Sequence, residues 1–242
     1  MFLIYNTNMK INRFPTKKEA LTGAGELLNG LLIKTLKNPT LLMLSAGSAL
    51  EILGYVDEKT FSENLTVCML DDRFSKTVDI NNFLQLQKTD FYILAQNAGV
   101  NFLDTLPRSE EQILDTASRF ENNLKTWKAK NTSGIIIATL GMGPDGHTAG
   151  IFPETDKKRF IDLFQSDPWV VGYNAKNKHK YPERVTSTLT FFKQINEGIA
   201  FVCGQEKKQK LDELLANKTE VNLLPATAWA GIKNLAIFTN LA

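Results

Sequence analysis

The feature that most constrains this chain is a set of short apolar runs without polar alternation. They fall at Leu41–Leu44, Leu65–Leu70, Gly134–Leu140, Ile199–Cys203 and Leu235–Thr239, with a further strand pattern at Trp169–Tyr173. A strand with one wet face alternates polar and apolar residues. A strand buried on both faces does not, so these runs predict a mostly parallel sheet covered on both sides. The stretches between them supply the cover. Thr16 and Glu19 form a capping box for a helix with Ala20, Leu21, Ala24, Leu27, Leu28, Leu31 and Leu32 on one stripe, ended by Asn38-Pro39. Ser109 with Gln112 starts a second long helix reaching about Lys130, and further helices are expected near Ser48–Tyr55, Val185–Ile195 and Glu206–Ala216. Asp79–Gly99 reads mainly as helix, with Phe91–Ala95 open to either assignment. Strands interleaved with helices predict a single domain over residues 1–242, a three-layer α/β/α architecture with a Rossmann-like sheet.

Composition narrows the function classes. The 242 residues carry 28 Lys+Arg against 26 Asp+Glu, a net charge of +2, so no broad basic field is available and a nucleic-acid partner is not expected. The basic run Lys176–Lys180, which contains His179, reads as a solvated loop. Cys68 and Cys203 sit inside apolar runs and read as buried free thiols of a reducing compartment. No run approaches the roughly 18 apolar residues of a membrane span. The apolar stretch in Met1–Asn6 is too short for a signal peptide. The expectation is a cytoplasmic protein with no membrane contact. Two histidines and two cysteines without ligand spacing, and Asp71-Asp72 alone as a weak magnesium pair, give no reason to expect a metal.

In open α/β sheets ligands bind beyond the carboxyl ends of the strands. Three such ends carry chemistry: Ser45–Ser48, Asp71–Arg73 and Gly141–His147. Gly141-Met142-Gly143-Pro144-Asp145-Gly146 satisfies G-x-G-x-x-G, yet it is a poor dinucleotide turn. Asp145 would set a negative charge against a pyrophosphate, Pro153 follows closely, and the motif lies past the middle of the chain. Extended through His147-Thr148-Ala149-Gly150-Ile151-Phe152-Pro153, the string places an Asp two residues before a His in a glycine-rich turn. The Asp can orient the imidazole, and the imidazole suits proton transfer near neutral pH.

The same string resembles the signature of the 6-phosphogluconolactonase family, G-x-G-x-D-G-H-T-A-S-L-F-P, with Gly150 where that pattern has Ser and Glu154 where a Gly often follows the Pro. Other landmarks occur in the family's order. Asp71-Asp72-Arg73 resembles D-E-R, Arg184-Val185-Thr186-Ser187-Thr188-Leu189 resembles R-[IL]-T-x-[ST]-L, Gly204–Lys207 resembles G-x-x-K, and Leu223–Ala226 contains L-P-A. Ser45-Ala46-Gly47-Ser48-Ala49-Leu50 stands where the family has S-G-G-S-T-P. The resemblance spans residues 41 to about 230. It implies the fold shared with glucosamine-6-phosphate deaminases and, more distantly, ribose-5-phosphate isomerase.

It also implies hydrolysis of a phosphorylated sugar lactone without metal or cofactor, in the oxidative pentose phosphate pathway, by a monomer or homodimer. His147 would be the general base and Asp145 its tuning partner. Arg73, beside Asp71 and Asp72, would bind lactone oxygens or phosphate, with Asp71 among the substrate-binding residues and either aspartate open to face the ligand. Backbone N–H groups around Gly143 and Gly146 would supply oxyanion donors. Ser45, Gly47 and Ser48 would offer donors at a helix N-terminus, with Arg184 and Lys207 adding charge for the phosphate. Two other readings compete. A glucosamine-6-phosphate deaminase resembling this pattern would carry Glu five residues after the loop His, where Phe152 stands here. A non-catalytic sugar-phosphate binder would have no need for an imidazole in the loop.

Overall fold

The structure is a computed structural model that describes residues 9–242; Met1–Asn6, read above for a leader, lies outside the described residues. The first half of the chain runs β1 (Met9–Arg13), α1 (Lys17–Lys34), β2 (Thr40–Leu44), β3 (Leu65–Met69), β4 (Asp71–Arg73), α2 (Asn82–Leu86), α3 (Asp90–Asn97), β5 (Asn101–Leu103) and α4 (Ile113–Lys130). The second half adds β6 (Ile135–Gly141), α5 (Lys157–Phe164), β7 (Val170–Asn174), β8 (Glu183–Ser187), α6 (Leu189–Phe192), β9 (Glu197–Phe201), α7 (Lys208–Ala216) and β10 (Asn234–Thr239). Among the described residues seven strands form one parallel sheet in the order β1-β10-β9-β6-β2-β3-β5, with β6 at its centre.

The unalternated apolar runs are explained by two cores, one on each face. Leu41, Met43, Cys68, Ile136, Ala138 and Leu140 point to one side, where Phe120, Leu124 and Trp127 of α4 belong to the same cluster. Their chain neighbours Leu42, Leu44, Val67, Met69 and Ile137 point to the other, against Ala20, Ala24, Leu28 and Leu32 of α1. Successive side chains of a strand face opposite ways, so a strand between two cores must be apolar at every position. Thr16 caps α1 as expected, accepting from the Glu19 N–H at 3.2 Å. Cys68 and Cys203 are buried free thiols, and burial pushes both upward in pKa. Among the described residues no helix is long and apolar enough to cross a membrane.

Several expectations are corrected. The cap of α4 is Gln112 with Asp115, whose carboxylate accepts from the Gln112 N–H at 2.9 Å, rather than Ser109 with Gln112. Phe91–Ala95 is helical within α3, where Thr89 caps the first turn. Ser48–Tyr55 lies in a 3-10 helix, Gly47–Tyr55. The largest correction is Val185–Ile195. Residues Val185–Ser187 belong to strand β8, and only Leu189–Phe192 are helical. β8 is the middle of a second, antiparallel sheet in the order β4-β8-β7, so Trp169–Tyr173 also contributes to this sheet and not to the large one. Its register sets Arg73 opposite Arg184 and Asp71 opposite Thr186.

Candidate active site

A cleft of about 210 Å³ opens beyond the carboxyl ends of β2 and β6, with the small antiparallel sheet as its other wall. Ser45, Gly47 and Ser48 enter from the turn after β2, and Gly143 and His147 from the turn after β6. Asp71, Arg73 and Arg184 enter from β4 and β8, and Lys207 from the turn after β9. Nine of the eleven predicted site residues therefore line one cleft; Asp145 and Gly146 do not.

The imidazole is held from several directions. His147 Nδ1 lies 2.6 Å from Asp145 Oδ1, and the same oxygen accepts the His147 backbone N–H at 3.1 Å. A carboxylate only accepts, so this contact puts the ring proton on Nδ1 and leaves Nε2 bare as the basic nitrogen. Burial works to raise the Asp145 carboxyl, but the hydrogen bond and charge of His147 prevail and hold it below its ordinary value. One face of the imidazole rests on Phe152, with ring centroids 4.6 Å apart. A Cβ on Gly143 would come 2.1 Å from His147 Nδ1, so this glycine makes the space the imidazole occupies.

The loop is braced from behind. Gly143 N–H donates to His147 O and Gly146 N–H to Gly143 O, both at 2.9 Å. These two donors, expected to face an oxyanion, are spent inside the loop. Gly146 has φ +86 and packs on Leu224, and its carbonyl accepts from Ala226 N–H at 3.2 Å. Trp229 Nε1 donates to Thr148 Oγ1, which donates to Gly141 O, at 3.1 and 2.8 Å. The Leu223–Ala226 string thus acts as a rear support. Ala149 and Gly150, the centre of the Thr148–Ile151 turn, both have positive φ (+46 and +66). That pattern of tight turn is unfavourable for alanine. The Thr186 and Tyr173 hydroxyls of the antiparallel sheet donate to their carbonyls and hold the turn in place.

Cations dominate the cleft floor. Arg73 makes no carboxylate ion pair among the described residues; its guanidinium donates to Ile80 O at 3.0 Å and Asn82 Oδ1 at 2.6 Å. Arg184, 3% exposed, meets Asp71 through one contact of 3.4 Å, and the Nε atoms of both arginines are buried without a partner. Lys207 is 9% exposed, bonds Ser48 Oγ at 3.3 Å, and is pulled down in pKa by its burial. Against three cations the floor offers one carboxylate, Asp71. Asp72 points the other way: its carboxylate accepts from the N–H groups of Asn82 and Phe83 at the start of α2 and from the Thr105 hydroxyl. Buried charge without a partner is costly, so this arrangement suits an anion chemically.

The sequence reading missed His179. It lines the same cleft, and its ring centroid lies 5.7 Å from that of Phe152. Asn82, which grips Arg73, was missed as well. Both enter through long-range packing, for which local spacing carries no signal. In the turn after β2, Ala46 has φ −79 and needs no glycine, while Gly47 takes the positive φ of +66. Ala49 is buried away from the cleft lining.

The family profile described as Glucosamine-6-phosphate isomerases/6-phosphogluconolactonase matches residues 18–236. The chain belongs to this family. A protein named probable 6-phosphogluconolactonase from Dictyostelium discoideum is 24% identical over 70% of this chain and 69% of its own length. The 6-phosphogluconolactonase of Synechocystis is 29% identical over 53% of this chain, and the chain spans only 50% of that relative. Solved structures of this family share the fold. The 6-phosphogluconolactonase from Plasmodium vivax superposes with a TM-score of 0.75 at 15% identity, covering 96% of this chain and 90% of its own. That from Thermotoga maritima gives 0.72 at 18%, covering 96% and 99%. This family member thus has the α/β fold of those structures, with the parallel sheet and flanking helices read from its sequence.

Proposed function

We propose that this chain is a lactone hydrolase that converts 6-phospho-D-glucono-1,5-lactone to 6-phospho-D-gluconate, a step of the oxidative pentose phosphate pathway, in the cytoplasm. The observation that carries this reading is the pairing of an Asp145-oriented imidazole with a floor of under-neutralised cations in one cleft. His147 Nε2 takes a proton from a water as its oxygen adds to the lactone carbonyl carbon. The tetrahedral intermediate then collapses with cleavage of the bond from that carbon to the ring oxygen, which receives the proton from His147. Asp145 stabilises the imidazolium between the two transfers. Such general acid–base help contributes about 10²–10⁴-fold. Arg73, Arg184 and Lys207 attract the phosphate dianion and offset charge developing at the carbonyl oxygen.

Phe152 speaks against deaminase chemistry. It is 3% exposed and packed on the imidazole, where the deaminases resembling this pattern use a proton-carrying Glu. The test is turnover of freshly generated 6-phosphogluconolactone with the spontaneous rate subtracted, beside unphosphorylated gluconolactone and glucosamine-6-phosphate. Fast turnover of the first, weak turnover of the second and none of the third is expected. A rate for the first no greater than buffer would remove the hydrolase and leave a sugar-phosphate binder.

A further inference from the structure

We propose that His179 is a second substrate-facing histidine, donating a hydrogen bond from Nε2–H to a carbonyl or hydroxyl oxygen of the bound sugar lactone. The proposal rests on the lactonase reading and extends it to a residue outside the family string.

The geometry fixes the tautomer. Tyr181 N–H donates to His179 Nδ1 at 3.0 Å, so in the neutral ring the proton must sit on Nε2. His147 has the reverse arrangement, since Asp145 occupies its Nδ1 and leaves Nε2 as an acceptor. One cleft thus holds a bare nitrogen and an N–H donor on two imidazoles that both pack near Phe152, with ring centroids 4.6 and 5.7 Å from it. No hydrogen-bond partner of Nε2 is found among the described residues, and the ring lines the cleft. Burial, reinforced by the charges of Arg184, Arg73 and His147, keeps the imidazole below the usual histidine pKa and so favours the neutral donor. The need for a donor is independent of the tautomer: the Gly143 and Gly146 N–H groups are consumed within their own loop.

The loop that carries His179 is also anchored. Glu154 receives Lys178 at 3.0 Å and Arg159, and Lys178 donates to Pro153 O as well. A carboxylate thus stands where the family pattern often has Gly, and it pins the residue next to His179. Glu154 is a positioning residue, acting through Lys178.

Two measurements test the proposal. The chain has two histidines, so long-range ¹H–¹⁵N correlation spectra resolve both rings, with His179→Phe making the assignment. His179 should show the Nε2–H tautomer, and its Nε2 should shift when 6-phosphogluconate is added. In kinetics, His179→Phe keeps a ring against Phe152 but has no donor, and kcat/KM should fall about tenfold or more. His179→Gln, with an amide N–H, should recover most of the loss. Glu154→Gly should give a smaller loss that disappears in the His179→Phe background. An Nδ1–H tautomer, an Nε2 unmoved by saturating 6-phosphogluconate, or a Phe variant within twofold of wild type would overturn the proposal. Wild type without turnover would instead sink the lactonase reading, while the 6-phosphogluconate titration would still decide His179.

Discussion

The two walls of the cleft are built differently. On the side of the large parallel sheet, functional groups sit on turns after the strands, and the shape of each turn depends on glycine: Gly47 with φ +66, Gly143 beneath His147, Gly204 with φ +110 before Lys207. On the side of the small antiparallel sheet, Asp71, Arg73 and Arg184 project directly from paired strands. The first wall positions groups by backbone path and the second by strand register. A turn can bring a proton carrier close to a ligand, whereas a ladder holds long cations that would otherwise lose entropy on ordering. The two walls should therefore fail in different ways.

The largest effect is expected at the tip of the first wall. His147→Ala should lower kcat by about 10²–10⁴-fold with little change in melting temperature, since the side chain is 31% exposed and its core contact is confined to the edge of the cluster at Phe152. Lactone turnover beside a melting curve checks both halves. Loss of stability comparable to the loss of rate would mean that this turn is structural as the ladder is.

A matched pair of cations sharpens the contrast. Arg184→Leu on the ladder removes the ion-pair partner of the buried Asp71, and breaking a buried pair costs about 3–5 kcal/mol. Lys207→Met removes a buried ammonium that has no carboxylate within ion-pairing distance among the described residues, so stability should hold or rise. Its cost should appear in KM for the phosphorylated lactone, by about 10–100-fold, and not for unphosphorylated gluconolactone. Thermal melts and KM for both lactones make the comparison. Equal destabilisation by the two variants would erase the distinction between the walls.

Gly143→Ala isolates the backbone path. The added Cβ would collide with His147 Nδ1 and push the imidazole off its position, and with His147 as the proposed base kcat should fall about 10²-fold. The imidazole pKa and kcat, measured together, tell displacement from unfolding. Activity within twofold of wild type would show that the glycine is not what places the ring.

The same division explains what could be read from the sequence. Strands β2, β3, β6, β9 and β10 were legible because burial on both faces leaves a short apolar run without polar alternation. The turns beyond them were legible because close backbone approach demands glycine at recognisable spacing. The ladder was not. β4 is Asp-Asp-Arg and β8 is Glu-Arg-Val-Thr-Ser, polar segments buried because they face the cleft or brace its loop, and polarity normally signals exposure. β8 was therefore read as part of a helix. His179 escaped notice because its neighbours are lysines, while the clasp that brings it in, Glu154 to Lys178, joins residues far apart in the chain.

Asp71 and Asp72 carry the comparison down to adjacent residues of one strand. Side chains alternate across a strand, so Asp71 faces the cations while Asp72 turns to the N-terminus of α2. Burial pushes the Asp72 carboxyl from an ordinary value of 3.8 up to about 7, against the opposing effect of its Thr105, Asn82 and Phe83 donors. The folded state then holds this proton more tightly than the unfolded chain between about pH 4 and pH 7. Its contribution to stability is complete below about pH 4 and is withdrawn as pH rises through 7. The melting temperature should carry a component that falls across that window. A ¹³C titration of the Asp72 carboxyl checks the cause, with a midpoint near 7 expected. A midpoint near 4 would mean that the α2 N–H groups and Thr105 hold Asp72 ionised. The ladder would then carry two charged carboxylates, one aimed at each face.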